Sequence, residues 1–246
     1  MKNRPILISI PHSSVFVPAE LRRNMNLTDK EIVAHADLAT DAIFDIPDVY
    51  KVIAKINRLV VDPNRAPDDI EMEAKLGAEG VVVAVSEDKK PIYKRVPTLR
   101  QISDRVEKYH DSFHDEIDLH KSEARFLIDG HSCKSLGPMT KPDAGQRRPD
   151  IILGNRDFTT CSREQTTFFM HFFRKKGFSV AVNKPYSGKY ILGYHCSRRH
   201  LPGIQVEVNR ALYMNENTLH VRKKDVQKLN LIMRELVDEL SSSGLL

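Results

Sequence analysis

His12, His131 and Glu207 each close a short apolar run: Ile6-Leu-Ile-Ser-Ile-Pro-His12, Phe126-Leu-Ile-Asp-Gly-His131 and Gly203-Ile-Gln-Val-Glu207. The runs have the composition of buried strands. In open α/β sheets, ligands collect where strands end at their carboxyl termini. Two imidazoles and a carboxylate gathered there form the donor set of a mononuclear zinc hydrolase. One divalent ion, Zn2+, is therefore expected.

The contexts differ in what they add. His12 follows a proline, so a loop after the strand can aim one ring nitrogen at a metal while the other is tied to an acceptor. Asp129 lies two residues before His131, on the same side if the strand continues, and can orient that imidazole. Gly130 between them is expected to permit a sharp turn. Glu207 sits in a β-branched run, where a carboxylate is costly to bury without a partner or task. Its alternation with Gln205 and Asn209 fits a solvent-facing strand equally well. The third metal ligand is open between Asp37, Asp41 and Asp129, with Asp37 the first choice. Asp37 and Asp41 lie one helical turn apart, so both can face the same way.

Arg58, Asn64 and Arg65 supply anion chemistry. The Arg65 guanidinium is a planar fork that matches a carboxylate with two parallel hydrogen bonds, and Asn64 adds an amide donor. Arg58 can stabilise negative charge developing on a carbonyl oxygen. A small-molecule carboxylate substrate is thus expected. Tyr186, Gly188 and Tyr190 have the composition of a loop closing over it. His110 and His114 show the His-x-x-x-His spacing of helical zinc sites, but Asp111 stands where metalloproteases carry glutamate. A surface or packing role is expected for this pair, with His114 able to lie near the site.

The elements that must position these groups alternate along the chain. Strands are expected at residues 6–10, 50–56, 58–61, 80–85, 126–128, 151–153, 178–182 and 204–208. The rest of 70–97 reads as irregular. A capping box, Thr28 with Glu31, opens a helix predicted to run to Phe44. The longest helix is predicted from Thr98 to about Glu123, others from Ser162 to Lys176 and Lys223 to Leu240, and Leu136 to Pro149 reads as a loop. Such alternation implies an α/β fold around a largely parallel sheet. Without a repeat or linker, residues 1–246 are expected to form a single domain.

Composition excludes several classes. At 41% hydrophobic and 29% charged, the chain can bury a core and is not expected to be disordered. Its net charge of +5 is spread over short clusters without interleaved aromatics, so no nucleic-acid partner is expected. Cys133, Cys161 and Cys196 form no CxxC pair, which argues against a thiolate metal site or a disulfide framework and suits a reducing cytoplasm. The apolar run after the first residues is too short for a signal peptide, and no stretch approaches a membrane span.

With these residues set out, the chain resembles the N-formylglutamate amidohydrolase family from about Ile6 to Met214. The matching pieces are Ser9-Ile-Pro-His12-Ser, Ala36-Asp37 with Asp41, Arg58-Leu-Val-Val-Asp62-x-Asn64-Arg65, Tyr109 with Phe113-His114-Asp115, Asp129-Gly-His131-Ser132, Pro149-Asp150-x-x-Leu153-Gly154, Tyr186-Ser-Gly188-x-Tyr190-Ile191, and Gln205-Val-Glu207 followed by Tyr213-Met214. The resemblance implies a zinc-exopeptidase-like three-layer α/β/α sandwich with a central mixed, mostly parallel sheet. It implies hydrolysis of N-formyl-L-glutamate or a related N-acyl amino acid, and a place in histidine catabolism. By the same resemblance His12, Asp37 and His131 would hold zinc and Glu207 would be the general base. Arg58 would polarise the scissile carbonyl, and Asn64 with Arg65 would anchor the substrate carboxylate. The chain departs from the family pattern at Ala39-Thr40-Asp41 and after Glu207, where it reads Val208-Asn209-Arg210. The rival readings are a peptidoglycan-type amidase or carboxypeptidase on the same site, or a non-catalytic metal- or anion-binding protein.

Overall fold

The computed structural model describes residues 4–70, 80–86, 90–139 and 141–246. Residues 1–3, and the part of the irregular stretch over 71–79, lie outside the described residues. In chain order the elements are β1 (Ile6–Ile10), α1 (Ala19–Arg22), α2 (Asp29–Ala34), α3 (Thr40–Ile43), β2 (Tyr50–Ile53), α4 (Leu99–Arg105), a π-helical segment (Val106–Asp111), α5 (Ser112–Lys121), β3 (Phe126–Cys133), β4 (Ile151–Gly154), α6 (Arg163–Lys175), β5 (Val180–Val182), α7 (Tyr190–His195), β6 (Gly203–Asn209), the two-residue strands β7 (Met214–Asn215) and β8 (His220–Val221), and α8 (Lys223–Ser242).

Six strands form one sheet in the order β2-β1-β3-β6-β4-β5. All neighbours run parallel except β4 and β6, which pair antiparallel. The sheet is therefore mixed and mostly parallel, with helices on both faces, as expected.

Side-chain alternation explains the layers. One face carries Ile6, Ile8, Ile10, Phe126, Ile128, Ile204, Val206 and Val208, and it packs on Phe169, Phe172 and Phe173 of α6 and on the Val226, Leu229, Met233, Leu236 and Leu240 stripe of α8. That stripe recurs at three- and four-residue steps, the spacing of a helix face turned to a core. The opposite face starts apolar, with Leu7 and Leu127 against Phe113 and Ile117 of α5 and Ile191 and Leu192 of α7. Towards the carboxyl ends of β1, β3 and β6 it turns polar, presenting Ser9, Asp129, His131, Gln205 and Glu207, all buried.

Several local expectations differ from the structure, each for a physical reason. The helix predicted through Phe44 ends after α2; Ala39 adopts a left-handed backbone (φ 63°) before α3 starts. The break lets the Asp37 amide donate to the His12 carbonyl at 2.8 Å and turns Asp37 towards the sheet. Residues 58–61 form a turn, not a strand, and 80–86 contribute only an isolated bridge from Val85 to Pro91. Apolarity there reflects burial in a second cluster, with Leu59, Val60, Val61, Val81 and Val82. Gly130 makes no turn, for β3 runs straight through it. A Cβ at that position would lie 2.7 Å from Cδ2 of Phe44, so the glycine admits the Phe44 ring against the sheet. The predicted helix from Thr98 is nearly continuous, but its centre widens into the π segment, a local bulge that re-aims side chains and recurs at functional sites.

Candidate metal centre

Parallel pairing of β1, β3 and β6 brings the three sequence-distant groups together. Ser9 is in register with Asp129, and His131 with Glu207. Adjacent strands lie about 4.8 Å apart, so these side chains are neighbours on one face. His12 follows β1 directly and Asp37 enters from the broken helix.

His12, Asp37 and His131 each offer a ligand atom, all within 4.8 Å of one another, and all three residues are buried. Asp37 Oδ2 lies 3.7 Å from His12 Nδ1 and 3.4 Å from His131 Nδ1. The far nitrogens are already engaged. His12 Nε2 donates to Asp62 Oδ1 at 2.7 Å, and His131 Nε2 faces Asp129 Oδ2 at 2.9 Å. In each imidazole Nε2 thus faces an aspartate and Nδ1 is turned to Asp37, the orientation that presents Nδ1 to a metal. Two oriented imidazoles and one carboxylate fit a zinc-type ion.

The electrostatics match. Burial works to raise the Asp37 pKa, but hydrogen bonds with His12 and His131 and the charge of Arg210 outweigh it and hold the carboxylate well below its usual range. Burial likewise opposes ionisation of Asp62, and Arg58 and His12 reverse it. Burial also works against the His131 cation, yet Asp129 and Asp37 hold its pKa well above the ordinary value. A cation at the triad is therefore favoured, whether proton or metal. Glu207 responds in the opposite direction: burial pushes it up to about 7, with Asp37 and Asp129 adding to the rise. Gln205 Nε2 donates to Glu207 Oε1 at 2.9 Å. The strand that could have shown Glu207 to solvent is buried along its length.

Of the alternative third ligands, Asp41 is exposed on α3, and Asp129 sits beneath His131, also accepting from Ser9 Oγ at 2.7 Å. Arg58 reaches the centre, with Nη1 3.3 Å from His12 Nδ1 and Nη2 donating to Asp62 Oδ2 at 2.5 Å. Asn64 Nδ2 lies 3.3 Å from His131 Nε2, while its Oδ1 accepts from the Ile191 amide at 3.0 Å. Asn64, Arg65 and Tyr190 line one open pocket. Gly188 shapes the turn before α7 with a φ of 96°, and Tyr186 packs under the Arg148 guanidinium at 4.9 Å. These two lie outside the lining of that pocket.

Some participants escaped the sequence reading. Arg210 is buried and donates to Asp37 Oδ1 at 2.8 Å, to Ser132 Oγ at 3.2 Å and to the Ala34 carbonyl at 3.1 Å. Its signal was an arginine directly after the strand that holds Glu207, where burial demands an acidic partner. Asp62 was visible only as part of the arginine motif, not as the partner of His12. Of the surface or packing role expected for His110 and His114, packing holds, for both are buried. Their Nε2 groups donate to the carbonyls of Arg65 (3.0 Å) and Pro63 (2.9 Å), which fixes the backbone on both sides of Asn64.

The N-formylglutamate amidohydrolase family model matches residues 4–214. The chain belongs to this family. Among solved structures it is similar to the N-formylglutamate amidohydrolase from Ralstonia eutropha JMP134, at 23% identity and a TM-score of 0.88, covering 99% of this chain and 95% of that one. It is also similar to a gene product of Agrobacterium tumefaciens, at 16% identity and a TM-score of 0.76, covering 98% and 92%. Both likenesses concern the fold. No curated protein matches the chain. Among the described residues no helix is long and apolar enough to cross a membrane.

Proposed function

We propose that this amidohydrolase-family protein is a zinc-dependent enzyme that hydrolyses N-formyl-L-glutamate, or a closely related N-acyl amino acid, to formate, or the acid of the acyl group, and the amino acid. The observation that carries the reading is the convergence of His12, Asp37 and His131, with both far imidazole nitrogens held by aspartates and Glu207 in register beside His131. His12 Nδ1, His131 Nδ1 and Asp37 would hold a divalent ion, which would supply Lewis acidity when bound. Glu207 takes the proton of the attacking water and returns it to the departing nitrogen, a role suited to a carboxylate whose pKa lies near neutrality. Positive charge at the triad draws Glu207 towards its ionised, basic form. Arg58 donates to the carbonyl oxygen as negative charge grows there, a donor already in place before reaction. Asn64 and Arg65 grip the α-carboxylate and so orient the amide over Glu207.

The test is formate release from N-formyl-L-glutamate by wild type and Glu207→Gln. Chelation abolishes release and zinc restores it. Glu207→Gln binds zinc as wild type does yet turns over slower by about 10²–10⁴-fold. Full activity in metal-depleted protein, or a near-wild-type rate in Glu207→Gln, overturns the reading.

A further inference from the structure

The pocket that opens beside the triad is about 310 Å³ and is lined by Asn64, Arg65, Asp69, Arg156, Lys189 and Tyr190. Asn64 belongs to both places, since it also touches His131. Three cations thus face one acid in a cleft that shares Asn64 and Arg65 with the proposed carboxylate clamp. Arg65 belongs to the clamp already described; Arg156 and Lys189 have no part in it.

Arg156 is placed by the backbone. It follows β4 in a turn where Arg156, Asp157 and Phe158 all have positive φ, at 48°, 55° and 65°. Successive left-handed non-glycine residues persist only when their surroundings impose them, and such strain gathers at functional sites. The Arg156 amide donates to the Ser187 carbonyl at 2.6 Å and its Nη1 to the Lys189 carbonyl at 3.2 Å. A Cβ on Gly193 would lie 3.1 Å from the Arg156 guanidinium carbon, so the glycine gives the flat head room against α7. Among the described residues the guanidinium makes no ion pair.

The cations repel one another. Partial burial, then Arg65 and Arg156, depress the Lys189 ammonium. Nearby Lys141 is depressed by burial and by Arg65, Lys189, Arg58 and Arg148. Like charges crowded in a cleft focus a positive potential that draws in a small anion.

We infer that Arg156 and Lys189 bind the side-chain carboxylate of the substrate and so select N-acyl amino acids with acidic side chains. The assignment rests on the proposed hydrolysis for its substrate. It gives each carboxylate of a dianionic substrate its own partners: Asn64 and Arg65 hold the α-carboxylate, Arg156 and Lys189 the distal one.

The test compares glutamate with norvaline, whose side chain ends in methyl instead of carboxylate. Calorimetry gives Kd for L-glutamate and L-norvaline, and kinetics give kcat/KM for their N-formyl derivatives. The proteins are wild type, Arg156→Gln, Arg156→Lys and Lys189→Met. Wild type prefers the glutamate member of each pair. Arg156→Gln, which keeps a donor for the Lys189 carbonyl, and Lys189→Met each weaken the glutamate series by about 10- to 100-fold while leaving the norvaline series unchanged. Arg156→Lys restores most of the preference. Equal affinity of wild type for both amino acids, or an equal loss for both series in Arg156→Gln, overturns the assignment. If wild type hydrolyses neither formyl compound but prefers glutamate through Arg156, the pocket stands and the hydrolysis fails. If it hydrolyses both and Arg156→Gln slows them equally, the reaction stands and the pocket fails.

Discussion

Asp129→Asn isolates what an outer carboxylate does for the proposed metal site. Asp129 is fully buried, with one oxygen accepting from Ser9 Oγ at 2.7 Å and the other 2.9 Å from His131 Nε2. Asparagine keeps the shape and replaces one oxygen with a donor. If the amide nitrogen faces His131, Nε2 must accept, the ring proton moves to Nδ1, and the ligand lone pair is lost. If the amide oxygen faces His131, the tautomer survives but the charge that makes Nδ1 a stronger ligand does not. Both outcomes weaken metal binding, and outer-sphere losses of this kind cost about 10- to 100-fold in affinity, or about 1.4–2.7 kcal/mol. Competition with a chromophoric chelator measures the zinc Kd directly. Asp41→Asn is the control, because Asp41 is exposed on α3; its Kd equals that of wild type. A zinc Kd for Asp129→Asn within about twofold of wild type would falsify the triad as the metal site, since fixation of His131 is what distinguishes it from a chance cluster.

Two further predictions concern stability. Burial, with His110 and His195 nearby, lowers the His114 pKa to about 3, and burial lowers His195 to about 4. Both are depressed below the unfolded value of 6.5, so the folded state resists protonation: stability is full above 6.5 and is lost as pH falls from there towards the folded values. Between pH 7 and about pH 5 each of the two imidazoles removes about 2 kcal/mol from the stability of the metal-free protein in urea denaturation, so His114→Asn loses about 2 kcal/mol less than wild type over the same interval; an unchanged loss in the variant refutes the burial account. Gly130→Ala places a Cβ 2.7 Å from Phe44 Cδ2 and destabilises the fold. The expected cost is about 1–3 kcal/mol by chemical denaturation, relieved by adding Phe44→Leu, and no relief in the double variant would show that Phe44 is not the obstacle.

The limits of legibility follow from the range of the interactions involved. Strand runs such as 6–10 and the capping box at Thr28 act within a few residues, and the structure has both as read. The break at Asp37 was invisible because helical spacing continues through it; the contact that ends the helix is the amide bond to the His12 carbonyl, which the local pattern does not encode. Residues 58–61 and 80–85 misled for the converse reason: their apolar character records burial, and burial does not require a strand. Gly130 looked like a turn because a missing side chain reads the same whether it frees the backbone or makes room for a ring.

At the candidate site, residue chemistry by itself determined that His12, His131 and Glu207 end apolar runs and that Arg58, Asn64 and Arg65 suit a carboxylate, because side-chain type and strand period are written in the chain. It put Asp37 first but left Asp41 and Asp129 open as third donors. Tertiary structure turns Asp37 inward beside both histidines, where the chain unwinds, while Asp41 stays on an exposed helix face. It also joined Asp62 to His12, Arg210 to Asp37, and Arg156 and Lys189 to one cleft, contacts set by sheet order and loop packing between residues far apart in the chain.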